Sequence, residues 1–305
     1  MALVASYVDM SYNAKRRRIS IISIPDELEH DQQATVISIF ETNPPDWGAS
    51  QVPNVRGQSL VVGDTCTWMV CRTGEFMLLS SAGRQTEQLP DSGYTHGRKL
   101  GPPTMMRMIE GELYVCGMSG QVYVRRKDKL QHMDDGLAEP GPNTKSQLTL
   151  NAIHGTAAND IYVVGSGGLI AHWNGKKWTK LPVLTNVQLW GVRCFSKNHI
   201  VAVGSMGVIV EGDGKKWKVE QLPDGAELTL SDVETFKGDL YVAAVDDLYV
   251  RKKGRWDVVE HGLDEDRTDF YRLLVAEERL WTMGTHRLSS TNGRKWAAHI
   301  DPDNG

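Results

Sequence analysis

Arg107, Arg193 and Arg272, with Asp232 and Tyr271, are the residues of this chain whose types could do chemistry together. Guanidinium groups grip a carboxylate through paired N–H bonds, and an acid beside a tyrosine could cleave a glycosidic bond in a converging pocket. All of them fall on short apolar stretches read below as inner strands. There they read equally as the polar lining of a channel, hydrogen-bonded to water and to one another. Other chemistry finds no pattern. The histidines His30, His96, His132, His154, His172, His199, His261, His286 and His299 occur singly, without zinc spacing. Cys66, Cys71, Cys116 and Cys194 form no CxxC pair and are too few for a disulfide framework. Cys71 and Cys116 sit in apolar runs and read as buried free thiols. No Walker-type loop, dinucleotide fingerprint or GxSxG elbow is present. The expectation is no catalytic residue, no metal and no cofactor.

A second set suits binding better than turnover. Tyr94, His96 and Arg98 lie in the segment DSGYTHGRKLGPP at 91–103, and Trp190 and Tyr271 open two of the inner strands. Tyrosine, tryptophan and arginine dominate binding hot spots because they bury a large area while keeping a polar handle. With Arg107, Arg193, Asp232 and Arg272 they form the candidate surface for a protein partner. Lys15-Arg16-Arg17-Arg18 and Asp264-Glu265-Asp266 are charge runs; each reads first as a solvated turn and second as a contact for an opposite charge.

Composition limits the partners. The chain has 305 residues, 34 basic against 38 acidic, for a formal charge of −4. Nucleic-acid binders held by phosphate neutralisation carry a basic excess, so that class is disfavoured. No run of about 18 apolar residues suggests a membrane span, and the N-terminal MALVASYVDMSYNAKRRRISIIS lacks the apolar core of a secretory signal. The expectation is a cytoplasmic protein, monomeric when free, that binds neither nucleic acid nor membrane.

The elements that must position these residues are set by a repeat. Trp178, Trp217, Trp256 and Trp296 are 39, 39 and 40 residues apart and close the motifs NGKKW, DGKKW, KGRW and NGRKW. Upstream of each lies an apolar run with a glycine end, clearest as YVVGSGG at 162–168 and VAVGSMG at 201–207, and before that another short strand such as LWGVRCF. The unit is four short strands, rich in Val, Ile, Leu, Tyr and Trp. Asn174-Gly175, Asp213-Gly214 and Asn292-Gly293 have the composition of type I′ turns between the third and fourth strands.

Four-stranded units of about 40 residues are propeller blades. The prediction is an all-β chain, one β-propeller domain over 1–305. Its recognisable blades lie within 51–305, and three strand-like pieces in 1–50 make a degenerate first blade, which favours seven blades over six. Insertions at 91–103 and 134–148 join one blade to the next and gather on one face. First and last blades each hold their own strands, so closure is expected by face packing. The tryptophans are expected between blades.

The repeat, with its DIYVVGSGG hairpin and NGxxW closure, resembles the bacterial propellers related to photosystem assembly factors and the Asp-box repeats of sialidases. The likeness covers about 104–300. The last blade keeps Ser289, Gly293 and Trp296 of the Asp box but carries Thr291 where the acid belongs, and gives no support for sialidase chemistry. The resemblance implies fold more than function, since such repeats serve enzymes and binders alike. Stand-alone propellers of this bacterial type also resemble immunity proteins that neutralise a cognate toxin. A toxin-occluding binder is therefore the leading expectation; a scaffold or assembly factor and a glycan-active enzyme are the alternatives.

Overall fold

A computed structural model describes residues 5–26, 33–93, 100–137, 148–264 and 268–302. Its strands form seven four-stranded antiparallel sheets, each paired in chain order from innermost to outermost. The protein is a seven-bladed β-propeller. The blades occupy 5–53, 57–88, 103–132, 150–180, 189–221, 232–258 and 272–299. Blade 1 is complete: its three apolar strands are followed by Pro45–Pro53, whose sequence PDWGASQVP is almost wholly exposed and so shows no apolar alternation.

The chain divides into two compact units. One holds Met1–Arg72, Phe76–Glu87 and Glu234–Gly305, the other Thr73–Glu75 and Gln88–Val233. We call them the terminal unit, built on blades 1, 2 and 7 with most of blade 6, and the central unit, built on blades 3–5.

In the terminal unit the first and last blades meet face to face. Tyr7, Met10, Ile19, Ile21 and Phe40 pack against Trp281, Met283 and Leu288, and the Tyr7 N–H donates to the Thr285 carbonyl at 2.6 Å. Phe40, Trp281 and His299 form a tilted aromatic cluster with ring centroids within 5.8 Å of one another, and burial pushes the His299 imidazole down to about 4. Glu277 accepts from Arg17 Nε at 2.7 Å, Tyr12 Oη at 2.9 Å and Thr42 Oγ1 at 2.9 Å. The arginine bond holds its carboxyl below the usual range. Among the described residues no strand passes from one blade into the other.

In the central unit the glycines of the repeat admit neighbouring backbone. A Cβ on Gly165 would lie 1.9 Å from the Thr149 carbonyl oxygen, one on Gly204 2.2 Å from that of Gln188, and one on Gly168 1.8 Å from that of Thr185. Each hairpin is therefore clasped by the connectors flanking its blade. Ser119-Gly120, Gly167-Gly168 and Met206-Gly207 have two successive positive φ values, the type I′ condition.

The Asn-Gly and Asp-Gly turns depart from expectation. Only their glycines have positive φ. The loop spans four residues between the paired Trp173 and Trp178, and the Asn174 Oδ1 accepts the N–H groups of Lys176 and Lys177. Asp213 and Asn292 do the same. The amide or acid serves as an acceptor that caps the turn. It is the irregular copy, Lys253-Gly254, that has positive φ at both residues.

The tryptophans are graded. Trp178 is buried and its indole N–H donates to the Met133 carbonyl beyond the preceding blade. Trp217 meets Tyr162 of blade 4 at 6.0 Å. Trp256 is half-buried under Arg251 of its own hairpin at 5.4 Å. Trp178→Ala is accordingly expected to cost about 3–5 kcal/mol and Trp256→Ala clearly less, as urea titration would read.

Candidate partner-binding surface

Each inner strand of the central unit starts at the connector end of its blade. Its second residue leans on the neighbouring blade: Thr104 Oγ1 donates to Leu150 O at 2.6 Å, and Asn151 Nδ2 to Leu189 O at 2.7 Å. Blade 5 breaks the series by placing Trp190 there. Its indole N–H turns to Ser205 Oγ at 3.0 Å, and the ring stays 37% exposed. Met206 follows Ser205 with φ +59 and is 49% exposed. A bulky residue in the left-handed region is unusual. The turn is held from both sides, by Gln221 Nε2 donating to Met206 O at 2.7 Å and by Gly207 N–H donating to Leu228 O at 2.9 Å. Val183, in the preceding connector, is 80% exposed.

Charge follows the same division. Among the described residues, the central unit's connectors (89–93, 100–102, 133–137, 148–149, 181–188 and 222–231) carry Asp91, Asp134, Asp135, Asp224 and Glu227 and no lysine or arginine. Asp224 and Glu227 flank the segment that holds the Met206 turn. Segments 94–99 and 138–147 lie outside the described residues; Tyr94, His96 and Arg98 are among them.

Of the remaining predicted residues, Arg193, Asp232 and Arg272 hold blades to one another. Arg193 Nη2 lies 3.6 Å from Asp232 Oδ1, and its Nε donates to Val233 O at 3.3 Å. Both join the inner strands of blades 5 and 6. Arg107 and Arg193 flank His154, whose Nδ1 accepts the Cys194 N–H at 3.2 Å. Burial, reinforced by the two guanidinium charges, holds that imidazole well below its ordinary value and neutral. In the terminal unit, Arg272 Nε is 3.5 Å from Asp9 Oδ1, and Asp9 also accepts from Ser59 Oγ at 2.6 Å. Asp9, 1% exposed, thus links blades 7, 1 and 2. Tyr271 is half-buried and donates its main-chain N–H to Met283 O. Arg193 and Arg272 are thus each paired with an acid inside their own unit.

Sequence reasoning passed over Met206, Val183 and Asp9, and read His154 only as one of several single histidines. Asp9 could have been suspected, since it interrupts the apolar run of the first strand. Met206 could have been found by its place in the GSxG hairpin, where the other copies have Ser119 or Gly167.

No family model matches the chain. Over 223 residues it is 29% identical to the immune protein Tsi7 of Pseudomonas aeruginosa, covering 73% of this chain and 72% of that protein. The chain is similar to an immune protein. Two solved structures share its fold. YCF48 bound to D1 peptide has a TM-score of 0.67 at 12% identity, over 99% of this chain and 93% of that one. The WD40 propeller domain of Doa1 has a TM-score of 0.68 at 10% identity, over 95% and 93%. Among the described residues no group of His, Cys, Asp and Glu could hold a metal ion, and no helix is long and apolar enough to cross a membrane.

Proposed function

We propose that this chain is a non-catalytic, protein-binding propeller that serves as a cytoplasmic immunity protein, covering a cognate toxin through the connector end of its central unit. The observation that carries the reading is the likeness to an immune protein across 73% of the chain. Two features support it. Two of the three arginines that an enzyme would aim at substrate, Arg193 and Arg272, are engaged with acids on neighbouring blades. The exposed Trp190 and Met206 give a rigid, two-sided clasped surface of the kind that anchors tight complexes.

Occlusion at nanomolar affinity corresponds to about 12 kcal/mol, which a few anchors would dominate. Trp190 is the described anchor of this end; Tyr94, His96 and Arg98 of the insertion at 91–103 are proposed as further anchors. The test is capture from the native host, followed by co-production with the captured protein. A single toxic partner, neutralised by the chain and released by Trp190→Ala, is the expected outcome. Capture of a multi-subunit complex without toxicity would favour a scaffold instead. Turnover of a small glycan with no captured protein would overturn the reading in favour of an enzyme.

A further inference from the structure

The basic run Lys15-Arg16-Arg17-Arg18 divides its work. Arg17 bonds Glu277, and Lys15 lies 3.5 Å from Asp64 of blade 2. Arg16 and Arg18 instead line a cleft of about 250 Å³ between blades 1 and 2, within the terminal unit. Arg18 is paired at its side with Glu41, which does not line the cleft. The described lining contains no carboxylate at all.

Ser20, Thr67 and Ser80 also line the cleft with hydroxyl-bearing side chains. Ile37, Ile39 and Leu79 supply an apolar wall. The two walls are fixed before any ligand arrives. Asn13 Oδ1 caps the basic turn by accepting the Arg16 N–H at 2.8 Å, while its Nδ2 donates to Asp64 Oδ1 at 3.4 Å. Ser11 Oγ accepts the Val62 N–H at 3.1 Å. Blade 1 and blade 2 are thus stitched along the cleft.

We propose that this cleft binds a small amphiphilic organic anion, with a phosphate or carboxylate between Arg16 and Arg18 and an apolar body against Ile37, Ile39 and Leu79. Arg16 supplies a guanidinium, Arg18 shares its own with Glu41, and a hydroxyl-bearing lining without a carboxylate favours an anion. The volume lies just under the roughly 300–1,000 Å³ of ordinary ligand sites, so the body is one ring in size. The site does not depend on the proposed immunity role and uses none of its residues.

Cys66 provides the readout. It lines the cleft and is partly exposed, whereas Cys71, Cys116 and Cys194 are buried, so iodoacetamide should alkylate Cys66 selectively. Phenyl phosphate, at concentrations up to about 10 mM, is expected to slow that alkylation at least fivefold and saturably. Benzoate tests the carboxylate form, and inorganic phosphate should protect less than phenyl phosphate. Arg16→Ala, at an exposed turn position, should raise the concentration needed about tenfold, the loss of one charge-assisted contact, with no change in melting temperature. An alkylation rate unmoved by both organic anions would overturn the proposal. So would equal protection by benzyl alcohol, or full protection in a folded Arg16→Ala protein.

Discussion

The two ends of blades 3–5 solve the same geometric problem in opposite ways. At the connector end, the hairpins are pressed between incoming and outgoing backbone, as the close approaches at Gly165, Gly168 and Gly204 show. At the other end, closure is mostly local: Asn174 and Asp213 bond their own loops, nothing lies within 4 Å of a Cβ on Gly111, and blades are linked there by a side chain, Glu110 accepting the Ala158 N–H at 2.8 Å. Charge divides likewise. The self-contained turns carry Lys127, Lys176, Lys177, Lys197, Lys215 and Lys216 against Glu110, Asp128 and Asp213, whereas the described connectors carry only acids. The lesson is that the end built from many chain segments is both the stiffer one and the one that can present an unusual side chain such as Trp190. A locally closed turn offers only solvated tips.

The sharpest way to break this comparison is to add one methyl group at each end. Gly165→Ala or Gly204→Ala should cost about 2–4 kcal/mol, because the new atom meets a carbonyl with nowhere to go. Gly111→Ala should cost about 1–2 kcal/mol, the backbone penalty of its positive φ alone. Equal shifts in urea midpoint would erase the distinction.

Binding gives the next largest effect. Trp190→Ala should weaken the captured partner by ten- to a hundredfold, a hot-spot loss of about 1.4–2.8 kcal/mol. Lys176→Ala with Lys215→Ala at the opposite end should leave affinity unchanged. The reverse pattern in a titration would place the partner on the lysine-tipped end.

Acidification tests the region between the ends. His154 stays neutral in the folded protein, its imidazole held below the ordinary 6.5 first by burial. Below that pH the unfolded chain takes up a proton that the folded chain refuses, so stability falls as pH drops. The ceiling is about 1.4 kcal/mol per pH unit for one group. Because His154 lies midway along its strand, this slope in melting curves should persist when charges at either end are changed.

The smallest expected effect is electrostatic. Asp224→Lys with Glu227→Lys should slow association about three- to tenfold at low salt and much less at high salt, if the partner presents a basic surface. Stopped-flow rates that do not move would show that the acidic connectors are merely solvated.

What could be read from the sequence tracks how local each feature is. The blades were legible because Trp178, Trp217, Trp256 and Trp296 mark a period and the GSxG hairpins need glycine where backbones approach. The outer strand of blade 1 was not, since an exposed edge strand has no apolar alternation to detect. The Asn-Gly turns were misassigned because asparagine suits two roles, positive φ and side-chain acceptor, and composition cannot separate them. Trp190 was legible as a large aromatic on an inner strand. The pairing of Arg272 with Asp9 was not, because the partner lies at the other end of the chain and meets it only once blades 7 and 1 pack.

That packing has a mechanical consequence. Since no strand is shared between the first and last blades among the described residues, the seam at Glu277, Phe40 and Trp281 is held by side chains and by main-chain bonding such as that from Tyr7 to Thr285. A tether pulling on Ala5 and Asp301 would load those contacts without first unravelling a sheet. By the same logic, the seam is an ordinary blade junction that happens to lack a connecting loop. A short linker across it, with a cut made in another connector, should yield a circularly permuted chain that folds to the same propeller.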